Sequence, residues 1–216
     1  MRWACFIVIG AAALLASCGL AAEYPDFSAN QYRLEGHRTL PDGNASGPAV
    51  YFRDGPALRY EGPLEGRGIS TVIYDPAREA TYLLRSTASV RRRQFAGAQP
   101  RQIAVRLSAG ETPQPLETSW AALGAENVRS VGGCRAAGER GRLWRPRRPI
   151  ARNVTRTACI TPDGIVLHLM ENDTVLFEAT AVGRGPQPRA LFEIPETYRI
   201  MDDAELALAE EEPSGG

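Results

Sequence analysis

Few residues in this chain could perform chemistry, and the cysteines are foremost among them. The 216 residues include four cysteines and two histidines. Cys134 and Cys159 could bond to each other, or they could join His37 and His168 in a metal site. Two thiols need further ligands to hold a metal, whereas an isolated pair in an oxidising compartment is typical of a disulfide. We therefore predict a Cys134–Cys159 disulfide, whose loop of roughly two dozen residues is worth about 3 kcal/mol, and no metal or cofactor.

The other two cysteines lie in an N-terminal segment that has the three parts of an export signal. A cationic start at Arg2 precedes an apolar run over 3–16 and then small residues. That run is shorter than the roughly 18 to 20 apolar residues of a membrane-spanning helix, so we expect cleavage. Leu15-Ala16-Ser17-Cys18 resembles the bacterial lipobox, in which the cysteine thiol is acylated before the cut. The sequence predicts a lipid anchor at Cys18, with a lipid-free cut after Ala21 or Ala22 as the alternative.

This start predicts a location in the cell envelope. We expect a signal peptide over 1–17, a lipidated tether over 18–29, one domain over 30–201 and an acidic flexible tail over 202–216. The lipid would hold the domain on the periplasmic side of a membrane. Gly19, rather than Asp, follows the cysteine, which favours the outer membrane. Without the lipid, the domain would be a soluble periplasmic or secreted protein.

Charge and motif content exclude several classes of function. The 25 basic and 25 acidic residues balance to a formal net charge of zero, whereas nucleic-acid-binding domains normally have a basic excess. Motifs of serine hydrolases, zinc peptidases and phosphate-binding loops are absent from the sequence. Arginine clusters at 91–93 and 145–148 could pair with lipid phosphates or could be solvated loops. We predict a domain that is not an enzyme and does not bind nucleic acid.

Short strand-like runs separated by turn residues extend through most of the chain. The predicted strands are 31–36, 49–53, 58–61, 69–74, 80–85, 103–107, 128–135, 140–144, 154–160, 165–170 and 174–182. Leu116, Trp120 and Leu123 have helical spacing, which predicts a two-turn helix packed on the sheet. The predicted fold is mainly antiparallel β (α+β) with one or two short helices.

Several of these runs resemble domains related to the LolA and LolB lipoprotein carriers, on their DUF4412-like branch. The similarity covers roughly Phe27 to Ile200. The motifs that carry it are Val50-Tyr51-Phe52-Arg53, Leu58-Arg59-Tyr60-Glu61, Thr71-Val72-Ile73-Tyr74-Asp75, Ala158-Cys159-Ile160-Thr161-Pro162-Asp163-Gly164-Ile165 and Leu191-Phe192-Glu193-Ile194-Pro195-Glu196-Thr197-Tyr198. The resemblance implies a curved antiparallel half-barrel sheet with an apolar concave face. The candidates to line that face are Phe52, Val72, Tyr74, Tyr82, Leu84 and Trp120.

Two functions remain open at this point. The concave face could hold a lipid or a lipidated protein, because acyl chains need apolar area and no directional bonds. Alternatively, the same side chains pack the core, and the domain is an envelope structural or protein-interaction module. An apolar groove of a few hundred Å³ beside Trp120 would favour the first function, and a closed core would favour the second. The oligomeric state is not indicated by the sequence.

Overall fold

The computed structural model describes residues 23–43, 45–86, 102–108 and 112–202, most of which belong to one sheet. The strands are β1 Gln31–Thr39, β2 Ser46–Asp54, β3 Ala57–Leu64, β4 Gly68–Asp75, β5 Ala80–Ser86, β6 Gln102–Leu107, β7 Val128–Ala136, β8 Glu139–Pro146, β9 Arg156–Ile160, β10 Val166–Glu171, β11 Thr174–Arg184 and β12 Tyr198–Met201. The helix α1 comprises Thr118–Leu123, and short 3-10 helices cover Ala125–Asn127 and Arg189–Phe192.

The 12 strands have the order β12-β6-β5-β4-β3-β2-β1-β11-β10-β9-β8-β7. Neighbouring strands are antiparallel except for β12 and β6, which are parallel. Strands β12 and β7 lie at the two edges, so the sheet is open. The predicted fold class, mainly antiparallel β with few short helices, is confirmed.

Alternation of apolar and polar residues explains why these segments form strands. In β1, Tyr32 and Leu34 are buried while Arg33 between them is exposed. The β2–β3 turn contains Gly55 at φ 57°, a left-handed conformation that glycine adopts without steric cost. Strand register is thereby set by both the buried face and the turn.

The β7–β11 half of the sheet is strongly curled. Cα atoms of β7 approach those of β11 within 8 Å, although three strands lie between them in the sheet order. Neighbouring strands in a flat sheet are about 4.8 Å apart, so four steps would separate them by about 19 Å. Arg184 of β11 reaches across to Glu139 of β8 at 2.9 Å. The curl therefore brings sequence-distant strands into contact.

The core of the β1–β5 half lies on the face that carries Tyr32, Tyr51 and Tyr60, which we call the tyrosine face. Tyr51 and Tyr60 are 1% and 0% exposed. Their ring centroids lie 4.9 Å apart, and the Tyr51 ring packs edge-on against Phe177 of β11 at 5.8 Å. The same core cluster continues into β9 and β10 through Cys159 and Leu167, so it joins both halves of the sheet.

A second core cluster forms around α1 and includes Trp120, Trp144, Val128, Ala158, Ile160 and Val166. The N-terminal segment packs on it: the Tyr24 ring lies 5.0 Å from that of Trp144, and its hydroxyl donates to the Trp120 carbonyl at 2.6 Å. The Ala29 amide donates to the Asp163 carbonyl at 2.8 Å. The tether predicted over 18–29 is thus docked on the domain from Tyr24 onward.

Several predicted segments lie outside the described residues. Strand β12 ends at Met201, and the predicted acidic tail lies outside the described residues from position 203. The signal segment with Cys18 and the arginine cluster at 91–93 lie outside them as well. Within the described ranges, no helix has the length and apolar character needed to cross a membrane.

Candidate functional site

The residues predicted to line one apolar face lie on two faces of the sheet. Val72 of β4 is opposite Tyr60, and the next residue, Ile73, is opposite Tyr82 of β5. Side chains alternate between faces along a strand, so Val72 and Tyr82 point in opposite directions. Tyr74 shares the tyrosine face with Val72, whereas Phe52 and Leu84 share the opposite face with Tyr82.

These six side chains therefore do not line a single cavity, which corrects the predicted lining. Val72 and Tyr82 are only 3% and 5% exposed, and Trp120 is fully buried in the second core cluster. The guanidinium of Arg33 covers the ring of Phe52 at 5.6 Å from its centroid. Of the six, Tyr74 alone borders the cavity described next.

A cavity of about 310 Å³ lies between the tyrosine face and the chain segment that leads into α1. Its lining residues are Arg53, Pro56, Leu58, Tyr74, Thr112, Pro113, Gln114 and Pro115. A second cavity, of about 370 Å³, shares Tyr74, Thr112 and Gln114 with the first. The 310 Å³ cavity has the size predicted for a groove near Trp120. It lies beside residues a few positions upstream of that tryptophan, and its lining differs from the predicted one.

Arg53 is the charged residue in the wall of the 310 Å³ cavity. It lies opposite Tyr32 of β1 and Leu58 of β3, so its side chain emerges on the tyrosine face. The Nε atom is buried and has no hydrogen-bond partner among the described residues. A buried donor without a partner is unfavourable, and a bound acceptor would satisfy it.

Glu117 is the nearby acidic group. Its two carboxylate oxygens accept from the Tyr32 hydroxyl at 2.9 and 3.0 Å. Burial raises the pKa of Glu117 above its usual value, while the Tyr32 hydrogen bond and the positive charge of Arg53 act in the opposite direction.

The rest of the tyrosine face is occupied by its own side chains. Arg38 donates from Nη1 to the Tyr51 hydroxyl at 2.9 Å and lies over the ring of Tyr60, 5.1 Å from its centroid. Tyr60 donates to the Pro63 carbonyl at 2.6 Å. Burial is the main reason that the pKa values of Tyr51 and Tyr60 are raised. This part of the face is a bonded core.

The two cysteines predicted to pair lie at disulfide distance. Their sulfur atoms are 2.03 Å apart and their Cα atoms 6.0 Å apart, joining β7 to β9 across β8. Gly141 of β8 lies beneath this link: a Cβ on it would be 3.1 Å from the sulfur of Cys159 and 2.7 Å from the Ile160 carbonyl. The described residues contain no group of three or more His, Cys, Asp or Glu side chains placed to hold a metal ion.

Apart from Tyr74, the sequence did not point to the residues that line the cavity, which are Arg53, Pro56, Leu58, Thr112, Pro113, Gln114 and Pro115. Strand alternation contains a signal for the first of them, because Arg53 stands two positions after Tyr51 and therefore shares its face. Pro113 and Pro115 lie between β6 and α1, outside the predicted strands and helix. Their place against Leu58 and Tyr74 depends on contacts between distant segments, which the sequence pattern does not encode.

The chain is similar in structure to two solved proteins. One is described as the crystal structure of MucB, with a TM-score of 0.46, 18% identity, and coverage of 79% of this chain and 59% of that one. The other is described as the complex structure of Pseudomonas aeruginosa MucA/MucB, with a TM-score of 0.47, 15% identity, and coverage of 81% and 59%. The chain thus spans about three fifths of each of those chains.

No protein-family model and no curated protein matches the chain. The DUF4412-like assignment therefore stays a prediction. The fold description rests on the strand order and pairing of this chain itself.

Proposed function

We propose that this chain is a non-enzymatic, membrane-anchored periplasmic module that holds one acidic amphipathic ligand, such as a fatty acid, in the Arg53 cavity. The observation that carries the proposal is the buried, unpartnered Nε of Arg53 in the wall of a cavity whose other lining residues are partly apolar and partly polar. A carboxylate on the ligand would accept from Arg53, and guanidinium–carboxylate hydrogen bonds are among the strong ones in proteins.

The walls of the cavity suit a hydrocarbon chain. Leu58, Tyr74 and the ring carbons of three prolines form its apolar part, while Thr112 and Gln114 add polar groups. A volume of about 310 Å³ is at the lower end of ligand-binding cavities, which favours a single chain over a whole phospholipid. The neighbouring 370 Å³ cavity has a more polar lining, which includes Glu79 and Arg106, so it suits a hydrocarbon tail less well.

The anchor part of the proposal rests on Cys18 and is tested separately. The chain with Cys18→Ala should incorporate no labelled palmitate in a bacterial host and should leave the membrane fraction. Palmitate that still incorporates into this variant would contradict the anchor. This result is independent of whether the Arg53 cavity holds a ligand.

The ligand is tested with the purified protein in two ways. Native mass spectrometry of protein isolated from its envelope should detect a co-purifying acidic lipid. In a titration with palmitate, Arg53→Met should weaken binding on the order of tenfold to a hundredfold, because a hydrogen bond to a charged group contributes about 1.5 to 3 kcal/mol.

Arg33→Met is the matched control. Arg33 lies on the neighbouring strand and loses the same charge, but it is half exposed and faces away from the cavity. Palmitate binding should be unchanged in this variant. Equal losses for both variants, or no palmitate binding by the unmodified protein, would contradict the proposal.

A rival function is favoured by the filled part of the tyrosine face. The buried Arg38, Tyr51 and Tyr60 network has the bonded character of a structural core. If neither assay detects a lipid, the domain is better described as an envelope protein-interaction module without an internal ligand.

A further inference from the structure

Five arginines line one small cavity at the base of the β7–β8 hairpin. The cavity has a volume of about 180 Å³. Its arginines are Arg129, Arg145, Arg147, Arg148 and Arg156. They come from the ends of three strands and a loop, so the cluster is assembled by the fold and not only by the 145–148 run.

Most of this positive charge has no acidic partner. Arg129 and Arg145 are directly opposite each other across β7 and β8, an arrangement in which like charges are unfavourable. Arg156 pairs with Glu171 at 2.5 Å. Among the described residues, no carboxylate lies within ion-pair distance of the other four arginines. A bound anion would relieve their mutual repulsion.

The loop that closes the cavity also carries exposed apolar surface. Ile150 is 46% exposed and stands next to Pro149, and both line the arginine cavity. A large apolar side chain surrounded by arginines suits the boundary between headgroups and acyl chains of a lipid surface. Free phosphate in solution would give Ile150 no apolar contact.

The docked N-terminal segment places this hairpin near the predicted anchor. The Tyr24 ring contacts Trp144, which directly precedes Arg145. Six residues separate Cys18 from Tyr24 in the numbering, and an extended chain of that length reaches about 20 Å at most. A lipid on Cys18 would therefore hold the arginine cavity close to the membrane.

We infer that the arginine cavity is a binding site for the phosphodiester headgroups of the anionic membrane surface to which the chain is tethered. Guanidinium groups pair bidentately with phosphate oxygens, and basic residues near an anionic leaflet each add to membrane binding. The inference shares the Cys18 anchor with the proposed function but does not depend on the Arg53 cavity.

The test uses the chain from residue 19 onward, which retains every described residue and has no Cys18 to acylate. It should sediment with vesicles of phosphatidylcholine and phosphatidylglycerol, but not with phosphatidylcholine alone. High salt should release it, because the attraction is electrostatic. Arg145→Gln/Arg147→Gln/Arg148→Gln should lower the partition coefficient on the order of a hundredfold.

Arg135→Gln/Arg140→Gln/Arg142→Gln is the matched control. It removes the same charge from the same hairpin but leaves the cavity intact. Vesicle binding should fall far less in this variant than in the cavity variant. Equal losses in the two triple variants would mean that only net charge matters, and this result would overturn the inference. Binding of soluble glycerol phosphate without binding to anionic vesicles would overturn it as well. Circular dichroism of both variants establishes that a loss is not unfolding.

Discussion

The hydroxyl of Tyr32 donates to both carboxylate oxygens of Glu117, at 2.9 and 3.0 Å, although the two residues are 85 positions apart in the chain. This contact ties β1 to the residue that precedes α1. The helix has six residues and no side-chain cap, so it is too short to be stable without its packing and this link. The Tyr32–Glu117 pair therefore fixes the segment that walls the Arg53 cavity.

Glu117→Gln should change how stability depends on pH. Burial raises the folded-state pKa of Glu117 above its unfolded value, so the folded state binds more protons in the window between the two. The stability contribution of the protonated acid is present below the unfolded pKa, near 4.5, and is lost as pH rises through the folded pKa. A glutamine side chain does not ionise, so the variant keeps this stability contribution as the pH rises. Urea unfolding from pH 4 to 8 should show the variant gaining relative to the unmodified protein as pH rises; a constant difference across that range would contradict this account.

Removal of the disulfide should destabilise the domain without abolishing its fold. Cys134→Ser/Cys159→Ser should lower the free energy of unfolding by about 2 to 4 kcal/mol, the usual range for a native link of this loop size. Non-reducing peptide mapping of the exported protein should yield one cross-linked peptide. Two thiols that both react with an alkylating reagent would refute the pairing in the cell.

Gly141→Ala should be costly because the clash is with backbone. The new Cβ would lie 2.7 Å from the Ile160 carbonyl oxygen and 3.1 Å from the Cys159 sulfur, and neither atom belongs to a flexible side-chain end. We expect a loss of about 1 to 3 kcal/mol, as for other overpacked sites. Gly133→Ala, on the adjacent strand with open space around it, is the control and should be nearly neutral. Thermal melts of both variants decide the point.

Charges placed on the two sheet faces should have unequal effects. Val72→Glu buries a carboxylate between Tyr60 and Leu83 and should unfold the domain. Leu84→Glu, on the opposite face and partly exposed, should cost about 1 kcal/mol. Chemical denaturation of both measures the difference. If the Val72→Glu protein folds, the tyrosine face is more accessible to water than its packing indicates.

The strands and the disulfide pair followed from local signals. Turn residues and apolar alternation located eleven of the strands, and the cysteine count left only one pair outside the predicted signal segment and anchor. The predicted helix over 116–123 appears as α1 at Thr118–Leu123. Strand β12 was missed because its four residues are held by parallel pairing with β6. The local sequence of Tyr198–Met201 does not indicate a partner strand nearly one hundred residues earlier.

The candidate site was harder to predict for the same physical reason. A resemblance at the level of strand motifs does not specify which alternate residues face inward. A register shift of one residue moves every side chain of a strand to the other face of the sheet. Tyr82 and Leu84 were placed with Val72, whereas the pairing of β4 with β5 puts them on the other face. Docking of the 112–115 segment and of Tyr24 depends on surfaces that exist only after the sheet has formed.

The pairing of β1 with β11 has a consequence for how the chain folds. Strands β1–β6 and β7–β11 form two runs of hairpins whose partners are adjacent in the chain, so each run can assemble from local contacts. The seam between the runs places Tyr32 opposite Arg184, about 150 residues later, and closing so long a loop makes this step slow. Until it closes, the nine residues of β1 and the eleven of β11 each present an unpaired backbone edge. The half-assembled chain is therefore the species most prone to pairing with another copy, and refolding yield should fall as protein concentration rises.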